Sequence, residues 1–221
     1  MGRREDNKAE KRSRIIAAAK DIIATEGIEH CTMRYLAEVA DVSPRTAYNL
    51  FESKTDILVA ILLEGFQPVL ALTEEEDTGL VVESLLNQLK SIPGDFGPQQ
   101  EFFRGIHWAI MRSDDMPSKT KARQTLEMLI ARRVEQIHEQ GELHPDCDIP
   151  ALTRHLSVLV PAILGMWADS QLSLEEALSH TRYSWINSLI PHARGKALRY
   201  LRDEQAAGFP SVAAARKARV A

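Results

Sequence analysis

Between Thr32 and Lys54 the sequence is TMRYLAEVADVSPRTAYNLFESK. This pattern predicts two short helices, Met33–Ala40 and Pro44–Phe51, separated by a tight turn. Ser43 is a favourable N-cap for the second helix, and the proline after it suits the first helical position, where its missing N–H would have no partner anyway. The outward face of the second helix carries Arg45, Thr46, Tyr48 and Asn49. A short helix that exposes these side chain types after a capped turn is typical of a DNA recognition helix.

The inward positions of the second helix are Ala47, Leu50 and Phe51, which are apolar. The same pattern also suits an αα-hairpin whose polar face only meets water, so the flanking sequence has to separate the two interpretations. A long, ordered set of positions flanks and includes the two helices. Its members are Ile15, Ala18, Ala19, Gly27, Thr32, Met33, Leu36, Ala37, Ala40, Val42, Ser43, Thr46, Tyr48, Phe51, Ser53, Lys54, Ile57 and Leu58.

This set of positions resembles the N-terminal domain of the tetracycline-repressor (TetR) family. The resemblance covers about the first quarter of the chain and implies a ligand-responsive, dimeric transcriptional regulator. It implies that Thr32 and Lys54 contact DNA phosphates, although helix capping by Thr32 explains that residue equally well. Many members carry an aromatic residue at the position of Ala47 and histidine or tyrosine near Asn49, so no base preference is inferred. Arg34 and Ser43 complete the predicted set of DNA contacts.

The charge distribution favours a nucleic-acid partner more than the net charge of −4 suggests. Residues 1–14 contain six basic and three acidic residues, so this arm carries +3 and the other 207 residues carry −7. We expect the basic side chains, Arg3, Arg4, Lys8, Lys11, Arg12 and Arg14, to add salt-dependent affinity for phosphate. The alternative is a solvated tail, and we expect residues 1–7 to be disordered without DNA.

Composition and cysteine usage indicate a cytoplasmic protein. Hydrophobic residues make up 44% of the chain and charged residues 26%, as in ordinary globular proteins. We expect no apolar run near the roughly 20 residues of a membrane helix, and the charged N-terminus lacks a signal-peptide core. The two cysteines, Cys31 and Cys147, are far apart, which suits a reducing compartment. No membrane partner is predicted.

Helical periodicity without strand alternation predicts an all-α fold. An N-terminal three-helix DNA-binding domain with a helix-turn-helix is expected over residues 1–54. A larger helical ligand-binding and dimerisation domain is expected over residues 55–207, with a frayed tail at residues 208–221. The predicted helices are 8–26, 33–40, 44–51, a fourth from 53 that kinks or stops near Gly65 and Pro68, then 80–91, 99–112, 118–140, 150–170, 173–190 and 191–207.

The helices at 150–170 and 173–190 carry apolar residues around more of their circumference than one buried face requires. Such a wide apolar surface indicates that each helix is buried on two sides. The resemblance implies that the pair forms a homodimer interface. A dimer would also let a short recognition helix read a palindromic operator. The alternative is a helix pair packed inside a monomeric core.

A ligand site is implied by the resemblance and is not established by spacing. Aromatic and methionine side chains in the second part would line an apolar pocket for a small-molecule effector, with few polar groups. For each residue taken alone, ordinary core packing is the more common role. The candidate lining residues are Phe102, Phe103, Ile106, His107, Met111, Met128, Leu159, Ile163 and Trp167.

Other chemistry has weak support. In the segment His144–Asp148 helix capping is favoured over a metal site, because no second ligand cluster completes a tetrahedron. Cys31 lies close to a helix N-terminus that could lower a thiol pKa, which leaves a redox switch open. No catalytic motif, metal or cofactor is predicted. The remaining alternative to a regulator is a helical protein–protein adaptor without specific DNA binding.

Overall fold

The computed structural model describes residues 3–70, 79–96 and 99–208. These residues form ten helices and one isolated antiparallel bridge, between Leu143 and Ala193, so the expected all-α class is confirmed. The helices are α1 Arg3–Thr25, α2 Met33–Val39, α3 Pro44–Leu50, α4 Lys54–Leu70, α5 Val81–Phe96, α6 Gln100–Arg112, α7 Met116–Glu139, α8 Ile149–Ala168, α9 Leu174–Leu189 and α10 Gly195–Ala206.

Three predicted helix ends are wrong. The first helix already begins at Arg3, so residues 3–7 are helical and not a disordered tail. The fifth helix continues through residues 93–94 to Phe96, and the tenth begins at Gly195 and not at residue 191. The fourth helix runs to Leu70, two residues past Pro68. A proline removes one hydrogen bond and a glycine costs about 1 kcal/mol, and neither must end a helix whose earlier turns are held by packing. The tail at 209–221 lies outside the described residues.

The chain divides into two compact units. The first unit comprises Met1–Gln67 and Gln99–Ala122, and the second comprises Pro68–Pro98 and Arg123–Ala221. The predicted domain boundary after residue 54 stays a prediction. Within the first unit, the start of α4 and the end of α6 share hydrogen bonds. The Thr55 and Ser113 hydroxyls, for example, lie 2.8 Å apart.

The core of the first unit forms where α1, α2 and α3 meet. Ile15, Ala19 and Ile22 of α1 are almost completely buried, as are Leu36 of α2 and Ala47 of α3. Apolar side chains at i, i+4 and i+7 lie along one side of a helix, so α1 presents a continuous stripe to its two short neighbours. This stripe supports the two short helices from one side.

Gly65 permits close packing of α4 against α6. A Cβ atom at this position would lie 2.5 Å from Cε1 of Phe103, which is shorter than real Cβ contacts. The glycine predicted to kink or end the helix instead makes room for an aromatic ring.

The second unit is built around α9, which packs against α5, α8 and α10. Eight of its side chains are buried, and the indole of Trp185 donates a hydrogen bond to the Leu156 carbonyl of α8 at 3.3 Å. A capping box begins α9, since the Ser173 hydroxyl accepts from the Glu176 amide and the Glu176 carboxylate accepts from the Ser173 amide. The buried Glu142 carboxylate accepts from the amides of Val81 and Val82 at 2.6 and 3.0 Å and so caps α5.

The expectation of no long apolar segment is wrong for α8. Ile149–Ala168 has 20 residues and a mean hydropathy of 1.4, so it is long and apolar enough to cross a membrane by length and composition. The core helix of a soluble protein passes the same test. The polar residues of α8 are Thr153, Arg154, His155 and Ser157, all in its first half, and its second half is apolar.

Candidate nucleic-acid interface

The turn between α2 and α3 is held by local hydrogen bonds. Asp41 adopts a positive φ of 51°, a region that Asp tolerates better than most residues, and the Val42 amide then bonds the Ala37 carbonyl at 2.9 Å. The Ser43 hydroxyl accepts from the Thr46 amide at 3.1 Å, and Pro44 occupies the first turn. The predicted cap and turn are confirmed, and they fix where α3 begins.

The two faces of α3 differ in burial as predicted, except that Thr46 and Leu50 are both half-buried. Ala47 is fully buried, and so is Phe51 immediately after the helix. Arg45, Tyr48 and Asn49 are exposed, with 56% of Tyr48 accessible. Thr46 is half-buried, and its hydroxyl lies 2.8 Å from that of Ser43. Three side chains with hydrogen-bonding groups therefore project from one side of a seven-residue helix.

Thr32 and Arg34 occupy the start of α2. The Thr32 hydroxyl accepts from the Tyr35 amide at 3.3 Å, which establishes its capping role. Both Thr32 and Arg34 are exposed. Their predicted contacts with DNA stay predictions, and capping by Thr32 leaves a lone pair of its oxygen available.

Lys54 has a partner that the sequence did not indicate. Its half-buried amine donates to the Ile28 carbonyl at 2.5 Å, in the loop after α1. An ammonium group has three donors, so this contact orients the side chain and leaves two donors for a phosphate. The Ser53 hydroxyl accepts from the Asp56 amide at 3.0 Å and so caps α4.

A polar cluster next to α3 was missed in the sequence. The Ser53 hydroxyl donates to the Asp115 carboxylate at the start of α7, and Asp115 also accepts from the Ser118 amide at 3.0 Å. These hydrogen bonds hold the pKa of Asp115 below its ordinary value, and the bond from Ser53 has the largest effect. Lys121 lies 2.8 Å from the buried carboxylate of Asp56. The partners are about 60 residues apart, so no local signal could have found them.

Two of the N-terminal basic residues bond backbone carbonyls of the protein itself. Arg12 donates to the Leu50 carbonyl at 2.9 Å, and Arg14 donates to the Asp41 carbonyl at 2.8 Å. Both arginines are half-buried, whereas Lys8 is exposed. The expected salt-dependent attraction of the basic arm to phosphate stays a prediction.

Cys31 does not have the environment of a reactive thiol. It is fully buried, and this burial raises its pKa despite the nearby Lys54 ammonium. The suggested lowering of the pKa by a helix N-terminus is therefore wrong, because desolvation of the thiolate outweighs it.

The segment His144–Asp148 caps a helix, as predicted. The Asp148 carboxylate accepts from the Ala151 amide at 2.9 Å at the start of α8. Among the residues that the structure describes, no group of three or more His, Cys, Asp or Glu side chains is arranged to hold a metal ion. Cys147 is half-buried, and burial raises its pKa too.

The candidate ligand-binding residues are divided between the two units. Phe102, Phe103, Ile106, His107 and Met111 lie in the first unit, and Met128, Leu159, Ile163 and Trp167 lie in the second. Phe103 packs against Gly65 and meets the ring of Phe102 edge-on, with centroids 5.3 Å apart. Met111 and Met128 are 47% and 50% exposed, whereas Trp167 is buried. Phe103 thus has a packing role, and the pocket as a whole stays a prediction.

A seven-residue helix presented by a capped turn, on a support of packed helices, defines the class of helix-turn-helix DNA-binding proteins. Residues 15–61 match the model of the family described as bacterial regulatory proteins, tetR family. The N-terminal domain of this chain is therefore similar to that of the TetR family of transcriptional regulators. Members of that family are regulators and not enzymes.

Known relatives extend the similarity beyond the first domain. UidR, an HTH-type transcriptional regulator of Escherichia coli strain K12, is 24% identical over 181 residues, covering 81% of this chain and 92% of UidR. Thermus thermophilus FadR, a TetR-family repressor solved with lauroyl-CoA, has a TM-score of 0.59 at 22% identity, covering 77% of this chain and 90% of FadR. SmeT of Stenotrophomonas maltophilia, solved with triclosan, has a TM-score of 0.56 at 17% identity, covering 85% of this chain and 93% of SmeT. These structures share the fold of this chain.

Proposed function

We propose that this chain is a homodimeric repressor that binds a palindromic operator in double-stranded DNA and leaves it when a small lipophilic or aromatic ligand binds. The observation that carries the proposal is the outward face of α3, where Arg45, Tyr48 and Asn49 are exposed opposite the buried Ala47. Such a face fits the major groove, which is wide enough to admit a helix. Because such a regulator acts on DNA, the proposal places the chain in the cytoplasm.

In this proposal the exposed side chains divide into two chemical roles. A guanidinium can bond the O6 and N7 atoms of guanine, and a carboxamide can bond N6 and N7 of adenine, so Arg45 and Asn49 read bases. Thr46 and Tyr48 add contacts in the groove. The residues proposed to hold phosphates are Thr32, Arg34, Ser43 and Lys54, which position the protein without reading sequence.

The outward stripe of α8 supports the homodimer. Val158, Ala162 and Met166 follow one another at intervals of four residues and are all exposed. Val158 is 57% and Met166 42% accessible, and Leu159 and Ile163 beside them are half-buried. An apolar stripe of this length is better covered than left in water, and a two-fold axis would pair it with the same stripe of a second copy.

The ligand response is proposed to act through α4. TetR-type repressors related in fold bind lauroyl-CoA in FadR and triclosan in SmeT, and both molecules have large apolar parts. A lipophilic or aromatic effector is therefore proposed here. A shift of α4 would change the spacing of the two recognition helices, and the polar cluster of Ser53, Asp56 and Asp115 ties the start of α4 to α7.

Linkage sets a condition on this mechanism. An effector releases the repressor only if it binds the DNA-incompetent state better, so DNA must weaken effector binding by the same factor. A thermal-shift screen of lipophilic and aromatic compounds provides candidates. A stabilising compound that leaves DNA affinity unchanged would contradict the inducer role.

The first test is a mobility-shift titration with the DNA upstream of this protein's own coding region, over a salt series and with nonspecific competitor. Tight binding to a palindrome that resists competitor and weakens steeply with salt is the expected result. If the nonspecific competitor removes the binding, the protein has only nonspecific attraction to that DNA fragment. An absence of binding even to random genomic fragments at low salt would favour a helical adaptor.

Two substitutions separate base reading from phosphate contact. Arg45→Ala is expected to relax sequence preference at one base pair, by about 1–3 kcal/mol of discrimination. Lys54→Ala is expected to weaken binding to all DNA sequences alike. It should also reduce the slope of log affinity against log salt concentration, the salt slope, by about 0.9. Arg132→Ala, which removes an exposed charge from α7, is the control for net charge. An equal loss on all sequences for Arg45→Ala would contradict its base-reading role.

A further inference from the structure

The recognition helix α3 is too short to hold its own orientation. It has seven residues and one buried side chain, that of Ala47. Isolated helices shorter than about 12 residues are marginal in water, so tertiary contacts must supply the order of α3. The inward face of α3 supplies few tertiary contacts. The contacts at the two ends of the helix therefore decide how firmly it is held.

Arg12 holds the C-terminal end of α3. Its Nη1 atom donates to the carbonyl of Leu50, the last residue of the helix, at 2.9 Å. That carbonyl is among the four at a helix end that lack an intrahelical partner. The guanidinium also lies over the ring of Phe51, with its carbon 4.0 Å from the centroid. One side chain of α1 thus combines a hydrogen bond with stacking at the same place.

Arg14 holds the chain just before the other end of α3. Its Nη2 atom donates to the Asp41 carbonyl at 2.8 Å. Asp41 is the residue of positive φ in the turn, two positions before the Ser43 cap. A hydrogen bond at this point restrains the residue whose conformation sets the entry direction of α3.

We propose that Arg12 and Arg14 are positioning residues that fix the orientation of α3 from α1 and thereby set DNA sequence discrimination without contacting bases. This inference rests on the proposed function for its DNA readout. Base-edge hydrogen bonds are directional, whereas attraction to phosphates tolerates displacement. Loosening α3 should therefore reduce specific affinity and leave nonspecific affinity nearly unchanged.

The competing role is a phosphate contact, which depends on charge and not on shape. Lysine keeps the charge of arginine but loses the planar fork and the stacking surface. Arg12→Lys therefore distinguishes the two roles, and Arg14→Lys is the second variant if the first does not fold. Lys8→Ala, an exposed cation on the same helix, is the control for a phosphate contact.

The DNA measurement uses the full-length protein, a duplex selected from a random-sequence library with the wild-type chain, and a scrambled duplex of equal length. Arg12→Lys is expected to lose about tenfold or more of its specific affinity, with unchanged scrambled-duplex affinity and unchanged salt slope. Lys8→Ala should weaken binding to both duplexes and lower the salt slope by about 0.9. Wild-type specificity in both arginine-to-lysine variants would overturn the proposal.

Hydrogen exchange tests the same inference without DNA. Arg12→Lys is expected to speed exchange of the α3 amides about tenfold relative to Lys8→Ala, while the α8 amides stay as in the wild type. Unchanged α3 protection in Arg12→Lys would overturn the positioning role. If the library yields no preferred duplex, the proposed function fails, and the exchange measurement still decides whether the two arginines hold α3.

Discussion

Lys54 illustrates how one residue takes a role that its neighbours in sequence do not reveal. The amine bonds the Ile28 carbonyl, 26 residues away, and this contact aims the side chain before any DNA arrives. Preorganisation of this kind lowers the entropy lost when a phosphate binds. Arg12 and Arg14 carry the same charge, but their guanidinium groups are used by backbone carbonyls of the protein itself.

The two cysteines should differ in reactivity. Burial raises the pKa of both thiols, but Cys31 is completely buried and Cys147 only half-buried. A raised pKa leaves less thiolate, which is the reactive form. At pH 8, iodoacetamide is expected to label Cys147 in the native protein and Cys31 only after denaturation, as measured by mass spectrometry. Equal labelling rates in the native state would contradict this assignment.

At the scale of elements, α4 and α6 approach each other closely because Gly65 lacks a side chain. Gly65→Ala is expected to destabilise the protein by about 1–3 kcal/mol, because the added methyl group meets the ring of Phe103. Gly105→Ala is the matched control, since a Cβ there meets no atom within 4 Å and alanine favours helix. Urea denaturation measures both variants, and equal stability of the two would contradict the packing argument.

The junction between α4 and α7 should depend on pH. Hydrogen bonds from Ser53 and Ser118 lower the folded-state pKa of Asp115 from its ordinary value of 3.8. A carboxyl group with a lowered folded pKa stabilises the protein above its unfolded pKa, and this stabilisation is lost as the pH falls through the folded pKa. The contribution of Asp115 is therefore expected to be present at pH 7 and to decline below about pH 4.

The measurement compares the free energy of unfolding of the wild type and Asp115→Asn from pH 7 to pH 3. The difference between them should shrink on acidification. Asp114→Asn, at the exposed neighbouring position, is the control. A difference that stays constant with pH would show that the charge of Asp115 contributes nothing at this junction.

At the scale of the whole molecule, the apolar stripe of α8 is expected to decide the oligomeric state. Met166→Glu would place a charge on the proposed two-fold interface in both copies, and an uncompensated charge is costly to bury. The variant should therefore sediment as a monomer at concentrations where the wild type is a dimer. Met116→Glu is the matched control, because Met116 is 62% exposed in the first unit. A dimeric Met166→Glu variant would exclude this stripe as the interface.

Much of the fold was predictable because helix signals act over short distances. Ser43, Asp148 and Ser173 cap the helices that follow them through amides three residues later. Ser43 was predicted from residue type, and the segment His144–Asp148 was predicted to cap a helix. The periodic apolar stripes predicted the ten helices, with errors at their ends. Prolines and glycines were given too much weight as helix ends, because their local cost is smaller than the packing that surrounds them.

The supports of the recognition helix depend on contacts between residues far apart in the chain. Arg12 and Leu50 are separated by 38 positions, and Ser53 and Asp115 by 62. Lys8 and Arg12 are four residues apart and lie on the same face of α1. Only the folded chain places Arg12 against the end of α3 and leaves Lys8 exposed. Local sequence determined which residues α3 exposes, through its turn, cap and apolar spacing. The tertiary structure determined how α3 is held, because a hydrogen bond requires two groups to meet within about 3 Å.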